Sequence, residues 1–428
     1  MKYIIDTLGC KVNQFETAAL ERLLSDAGFK KAREGEIPDI FIINSCAVTA
    51  ESVRKSSQAF RRIKKRYPDS VSVLTGCFPQ TEPKKAEALG ADIVCGTSER
   101  AKIPELISDF LENRKRRTLI AQLGDKREIE ELPAEGYGSH ARAYLKIEDG
   151  CRNFCTYCII PFARGPVRSL PPEKAAEAAA GLYEKGYLEL VLTGIELSSY
   201  GRDLNPQKSL TELISEIYKA VPGLRLRLGS LEASVIDEDF CRALSEVPSL
   251  CDHFHLSLQS GSDSVLRAMG RKYSTARFYE SVELLRKYFP GAALTADLIC
   301  GFPGEGEAEH VETLEFIKKC GFYDMHIFPY SKRKYTKAEK MPGQNTKNVK
   351  IRRVREARAL AVDMKADYLR AQVGRNLEVI FESEENGFSL GHSSNYCLVE
   401  VQSVSLRHSC RNVHIRSVSG EKLCGILL

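Results

Sequence analysis

The sequence predicts an α/β protein in three parts: an N-terminal parallel α/β domain, a central partial (β/α)6 barrel and a small C-terminal β-barrel. Three observations carry this. Short apolar runs alternate with helical periodicity over residues 1–112, which implies a parallel sheet. A second alternating series begins at Ala141 and repeats six times, most of a (β/α) barrel. After residue 370 the pattern becomes short alternating runs broken by turn residues, as in a small β-barrel of about five strands.

In order along the chain, the first domain (1–112) has apolar runs at 3–8, 39–44, 71–75 and 92–94, with helical periodicity at 14–27 and 51–66 between them. Residues 113–140 read as a linker: NRKRR, then charged sequence, with Pro133 and Gly138 near its end. In the barrel (141–367), strands are expected at 143–148, 189–193, 225–230, 253–258, 294–299 and 325–329. Helices fall between them, as at 173–185, where Pro172 suits the first helical position and Gly186 lies just past the end. A charged helix follows at 347–370. The last domain (370–428) has runs at 377–381, 396–401 and 413–418, with turns at Asn386-Gly387 and Ser419-Gly420.

The 428 residues are 43% hydrophobic and 28% charged, a globular balance. No stretch approaches about 18 consecutive apolar residues, so no spanning helix is expected. The apolar run of MKYIIDTLGC is cut by Asp6 and is short for a secretory core, which places the protein in the cytoplasm. Fourteen cysteines in a reducing compartment read as metal ligands, redox groups or small core residues.

Cys151, Cys155 and Cys158 are spaced C-x3-C-x2-C just after the first barrel strand, where barrel chemistry sits. Three thiolates on one loop can hold three irons of a [4Fe–4S] cluster and leave the fourth open to chelate a ligand such as S-adenosylmethionine. Tyr157, beside the last of them, is a candidate to pack against the adenine. Zinc or plain core packing is the alternative, but zinc favours two C-x2-C pairs and the chain has one. Cys10, Cys46 and Cys77 each closely follow an apolar strand (KYIIDTLGC, DIFIINSC, VSVLTGC), so a parallel sheet would bring all three to one edge. By the same logic Cys95 is a fourth candidate, and a metal site and simple burial both remain open here. The other seven cysteines fall in packing positions.

The Cys151–Cys158 motif resembles the radical S-adenosylmethionine superfamily, and YLKIEDGCRNFCTYCIIPFARGPVRS is similar to its methylthiotransferase branch. TLGCKVNQFET, NSCAVTAESVRK and TGCFPQ resemble the cysteine segments of that branch's N-terminal domain. The resemblance implies that Cys10, Cys46 and Cys77 ligate an auxiliary [4Fe–4S] cluster and that Cys95 does not. It also implies adenosylmethionine contacts from Gly194, Glu196, Glu232, Gln259 and Gly301 at strand ends. Glu196 stands where many relatives have His, and Tyr335 and Lys337 stand where Gly and Pro are usual.

Residues 331–370 carry thirteen Lys or Arg against four acids, and residues 51–66 seven against one, which favours a nucleic-acid partner; a solvated helix face is the plainer reading of either run. The final domain, six basic against six acidic, resembles a TRAM domain in length and position. HIFPYSKR resembles the branch acting on N6-threonylcarbamoyladenosine beside the tRNA anticodon. The implied chemistry uses one adenosylmethionine to methylate a sulfur at the auxiliary cluster and another to generate a radical that attacks adenine carbon 2. The implied partners are a tRNA anticodon stem-loop, an electron donor such as a flavodoxin or ferredoxin, and a sulfur donor, with no membrane. Isopentenyladenosine in tRNA and a ribosomal-protein aspartate are alternative substrates; outside catalysis, an RNA-binding metal-site protein is the alternative.

Overall fold

The structure is a computed structural model that describes residues 1–135 and 141–428. Gly138 lies outside the described residues.

The N-terminal sheet is fully parallel and ordered β2-β1-β3-β4-β5-β6, from β1 (Lys2–Thr7), β2 (Lys30–Lys31), β3 (Ile40–Ser45), β4 (Val71–Gly76), β5 (Ile93–Cys95) and β6 (Arg117–Leu119). Every residue of β3 and β4 is buried, as expected where helices cover both faces. Ile40 and Ile42 face Leu20, Leu24, Ile103 and Ile107, whereas Phe41 and Ile43 face Val53, Phe60 and Ile63. The segment expected as a linker supplies β6, which pairs with β5 and extends the sheet past residue 112. Between β3 and β4, helix Ala50–Arg66 starts at Thr49, whose side chain accepts from Ser52 N at 3.0 Å. It ends in Lys64, Lys65 and Arg66, which suit the negative end of its dipole.

The central strands are β7 (Arg142–Lys146), β10 (Glu189–Thr193), β11 (Arg225–Leu228), β12 (Ser230–Leu231), β13 (His253–Gln259), β14 (Ala293–Cys300) and β15 (Asp324–Pro329). They form two parallel sheets, β11-β10-β7 and β12-β13-β14-β15. Gly229 separates β11 from β12, so the two are one stave and six staves make an open barrel. A short antiparallel ribbon, β8 (Glu148–Asp149) with β9 (Arg168–Ser169), brackets the C-x3-C-x2-C loop. Alternation sends Leu190, Leu192, Leu226, Phe254, Leu256 and Leu294 into the core under the helices. The opposite parity, including Glu189, Arg227, His255, Asp297 and His326, lines the barrel interior.

Helix Lys347–Arg370 lies against β14 and β15 and buries Val354, Ala357, Ala361 and Met364 in that core. Part of its charge is spent internally: Arg352 pairs with Glu307, Arg353 with Glu305, and Lys365 with Asp324 and Glu421. The last domain is a closed barrel ordered β16-β17-β18-β20-β19, from β16 (Asn376–Glu385), β17 (Phe388–Ser393), β18 (Leu398–Val401), β19 (Cys410–Ser419) and β20 (Lys422–Leu427). Asn386 and Gly387, at φ 52° and 85°, make the two-residue turn between β16 and β17. This barrel seats on the amino ends of the central strands. There Glu189, fully buried, pairs with Arg142, Arg225 and Arg227. The guanidinia of Arg225 and Arg227 also donate to the carbonyls of His392, Ser393 and Ser394, and Arg227 stacks on Tyr396.

Candidate active site

The first three cysteines end strands of one parallel sheet. Cys10 caps helix Lys11–Asp26, Cys46 follows β3, and Cys77 follows β4. Two asparagines lace their loops together. Asn13 donates to Leu8 O and Ser45 O at 2.8 and 3.1 Å, and Asn44 donates to Asn13 O at 2.9 Å. Gly76 is required by the chain itself: φ is 102°, and a Cβ there would lie 2.5 Å from Ser45 O. The sulfurs sit within electrostatic reach. Burial, then Cys77 and Cys10, raise the Cys46 thiol to about 11. Cys95 is elsewhere. It is buried on the opposite face of the sheet with Ile103, Ile107 and Phe110, its thiol 3.6 Å from Glu99 O.

The second trio lies on the loop after β7. Cys151 N donates to Gly165 O at 3.0 Å, Cys158 N to Cys155 O at 2.9 Å, and Phe154 takes φ 49° so that the chain can turn between ligands. Burial, then the neighbouring thiols among other groups, push Cys158 and Cys151 up to about 12. Buried thiols within one another's electrostatic reach are favourable as thiolates once a metal neutralises them. Each trio also carries a buried guanidinium on one sulfur. Arg164 Nε is 3.3 Å from Cys77 Sγ, and Arg271 Nη1 is 3.3 Å from Cys155 Sγ. Three thiols with a charge-assisted donor are what an anionic iron–sulfur cluster with one open iron requires, so both sites fit such a group.

The barrel rim connects to this loop. Asn153 Nδ2 reaches Glu196 at 3.4 Å and Glu232 at 3.3 Å, and Arg271 pairs with Glu232 at 3.3 Å. Burial raises the Glu232 carboxyl despite that arginine. Glu196 also accepts from Ser198 N and Ser199 Oγ at 3.0 and 2.7 Å. Gly194 leaves room for Glu148, whose Oε2 would be 2.7 Å from a Cβ there. Gln259 ends β13 with φ 68°, a turn that re-aims its side chain. Tyr157 stands edge-on to Phe302, ring centres 6.4 Å apart. Gly301 is set apart from this group: its N–H donates to Glu305, and a Cβ would meet Lys350 at 2.5 Å. A cleft of about 380 Å³ opens beside the loop, lined in part by Gln80, Leu123, Cys151, Phe154 and Phe162.

Sequence reading did not single out the residues that join the two trios. Arg164 is fully buried. It donates to Asn13 at 2.9 Å and to Asp149 at 3.3 Å, and grips both oxygens of Glu16. Glu16 also meets Arg100 at 2.8 Å and Lys146 at 3.2 Å. Burial alone would raise the Glu16 carboxyl, but Arg100, Arg164 and Lys146 outweigh it and hold it below the usual range. Arg100, Lys146, Arg164 and Arg168, all buried, thus face Glu16 and Asp149, and the surplus positive charge meets the Cys77 sulfur. Arg164 does stand inside the quoted stretch CTYCIIPFARG, so proximity to the motif was the available signal.

A C-x3-C-x2-C loop at the carboxyl end of the first strand of an open parallel barrel defines a radical S-adenosylmethionine enzyme. The Radical SAM superfamily profile matches residues 145–317, and that of "Uncharacterized protein family UPF0004" matches residues 2–96. The chain is 40% identical to "Threonylcarbamoyladenosine tRNA methylthiotransferase MtaB" of Bacillus subtilis (strain 168), over 92% of this chain and 88% of that protein. It is 32% identical to "tRNA-2-methylthio-N(6)-dimethylallyladenosine synthase" of Moorella thermoacetica, over 88% of this chain and 86% of that one. Among solved structures, the methyltransferase TsrM from Kitasatospora setae, with cobalamin and a [4Fe-4S] cluster bound, aligns with TM-score 0.58. It is 14% identical, over 79% of this chain and 77% of that one, a likeness of fold. The chain belongs to the radical S-adenosylmethionine tRNA methylthiotransferase family. Membership brings S-adenosylmethionine and a [4Fe–4S] cluster as cofactors. Among the described residues, no helix is long and apolar enough to cross a membrane.

Proposed function

We propose that the enzyme converts N6-threonylcarbamoyladenosine next to the tRNA anticodon to its 2-methylthio derivative, with two [4Fe–4S] clusters. The observation that carries this reading is that Arg164, which closely follows the C-x3-C-x2-C loop, touches the Cys77 sulfur of the other trio, in a chain whose relatives include four threonylcarbamoyladenosine tRNA methylthiotransferases at 34–40% identity. Cys151, Cys155 and Cys158 would hold one cluster, and Cys10, Cys46 and Cys77 the auxiliary one. When bound, these groups supply reductive cleavage of adenosylmethionine and the sulfur that is transferred.

The chain's own residues do the rest. Asn153, Glu196 and Glu232 form a polar rim at the mouth of the barrel, suited to the amino and ribose groups of adenosylmethionine, with Gln259 beside them. Arg271 steadies both Cys155 and Glu232. Gly194 acts by letting Glu148 hold the turn that carries Glu196. Tyr157 offers a half-buried ring face for the adenine, and Gly301 shapes the strand end through Glu305. The N-terminal domain closes over the rim: Ala50 N donates to Ser331 Oγ at 3.0 Å, and Glu82 pairs with buried Arg333 at 3.1 Å. An anticodon-loop adenine is unpaired and enters such a cavity at low cost. The C-terminal barrel and the exposed cations of helix Ala50–Arg66 are suited to the anticodon stem-loop. A flavodoxin or ferredoxin as electron donor, a sulfur donor and a cytoplasmic setting complete the reading.

The test is anaerobic reaction of the reconstituted enzyme with adenosylmethionine, reductant and tRNA, followed by mass spectrometry of nucleosides. Gain of a methylthio group on N6-threonylcarbamoyladenosine is expected. Modification of isopentenyladenosine or of a ribosomal-protein aspartate instead would overturn the assignment.

A further inference from the structure

The barrel interior holds a charged cluster that the chemistry above does not use. His255, Asp297 and His326 project from adjacent strands β13, β14 and β15. His255 Nε2 is 3.2 Å from one Asp297 oxygen and His326 Nδ1 is 3.3 Å from the other. The two rings lie 5.1 Å apart. Thr295 Oγ1, 2.9 Å from His255 Nδ1, fixes that ring from behind. His326 is 66% exposed, so its far edge is open to the interior. Lys11 enters the same space from the other domain. It directly follows Cys10 and begins helix Lys11–Asp26. Its ammonium makes no hydrogen bond or ion pair among the described residues. It lies within electrostatic range of Asp297 and His326, and of Arg227 and Arg142.

The cluster has one carboxylate, one open imidazole that this carboxylate keeps basic, and one unpartnered ammonium. With both cations protonated it carries a surplus positive charge, in a space that Arg227 already makes positive. An unpartnered cation facing this space makes the surface complementary to an anion. Two imidazoles and a carboxylate also make a candidate cation site, their ligand atoms within 4.8 Å of one another. Lys11 and Arg227 oppose a further cation there.

The purine itself says which anion. Carbon 2 and N6 flank N1 on one edge of adenine, so carbon 2 presented to the Cys10 trio puts the N6 substituent within reach of the residue beside Cys10. We propose that Lys11 and His326, backed by Asp297 and His255, bind the threonyl carboxylate of the substrate's N6 group and select against apolar N6 substituents. This rests on the threonylcarbamoyl reading given above. A site built to pair a buried charge discriminates strongly against a ligand that lacks the partner.

The test uses the holoenzyme and three anticodon stem-loop RNAs: one with N6-threonylcarbamoyladenosine, one with its threonine amide, and one with isopentenyladenosine. Wild type is expected to bind the free carboxylate about tenfold or more tighter than the amide, the scale of one charge-assisted contact. In Lys11→Met and in His326→Leu that ratio should fall toward one. Iron content equal to wild type in each variant shows that both cysteine trios are kept. If wild type converts the threonylcarbamoyl RNA while both variants keep the full preference, the subsite is wrong and the function stands. If wild type converts only the isopentenyl RNA, the functional reading fails first. A stoichiometric divalent ion retained in wild type and lost in His326→Leu would also overturn the anion subsite.

Discussion

Arg164 is the residue on which the two halves of the site depend. It is fully buried, and it touches a sulfur and an asparagine of the N-terminal domain as well as Glu16 and Asp149. Arg164→Met leaves two buried carboxylates short of a counter-ion, a loss of about 3–5 kcal/mol. The expected outcome is a thermal midpoint several degrees lower, with Arg164→Lys intermediate because it keeps the charge and loses the planar fork. An unchanged midpoint would contradict the role given to it. Gly76 makes a sharper case. At φ 102°, Gly76→Ala costs about 1–3 kcal/mol in backbone strain, and its methyl collides with Ser45 O. That variant should lose iron from the N-terminal trio yet still cleave adenosylmethionine, read as deoxyadenosine release. Cys95→Ala should lose no iron, because Cys95 packs on the far face of the sheet. At this scale the sequence revealed the cysteines, since their spacing and their places after strands are local signals. It did not reveal Arg164, Glu16 or Arg271, whose partners lie 87 to 148 residues away in two of the three cases and 116 in the third. Tyr335 departs from the glycine usual in relatives yet takes φ 74°, so the loop keeps a left-handed bend at a residue where the side chain is exposed.

Among elements, the charged seat beneath the C-terminal barrel is the most exposed to test. Glu189 begins β10 and neutralises three arginines, two of which hold carbonyls of the last domain. Burial raises its carboxyl, but Arg227, Arg225 and Arg142 outweigh this and hold it well below the usual range. Its stabilisation is therefore complete above the unfolded carboxylate's value near about 4.3 and is lost only as pH falls through the depressed folded value. Docking should survive mild acid. Glu189→Gln should cost about 3–5 kcal/mol at neutral pH and expose the segment before residue 376 to limited proteolysis. A variant that melts and resists protease like wild type would contradict this seat. The main strands were legible because β3, β4 and the barrel staves are apolar runs of the right length. The edge strands β2 and β6 were not: Lys30–Lys31 and Arg117–Leu119 are short, charged and largely exposed, and their pairing is set by neighbours. Helix Lys347–Arg370 read as a basic surface, but three of its cations pair with acids of neighbouring elements, which only the fold could reveal.

For the whole molecule, the carboxyl edge of one parallel sheet faces the carboxyl rim of an open barrel, and each edge brings three thiols. Everything proposed about methylthio transfer follows from that apposition. It requires two iron–sulfur centres per chain, independently removable. The direct measurement is the iron and acid-labile sulfide content of anaerobically reconstituted protein, taken alongside Cys46→Ala and Cys155→Ala. Two [4Fe–4S] clusters predict about eight irons in wild type and about four in each variant, with adenosylmethionine cleavage kept in Cys46→Ala and abolished in Cys155→Ala. Wild type that saturates at about four irons, or Cys46→Ala that keeps the full complement, would contradict the account.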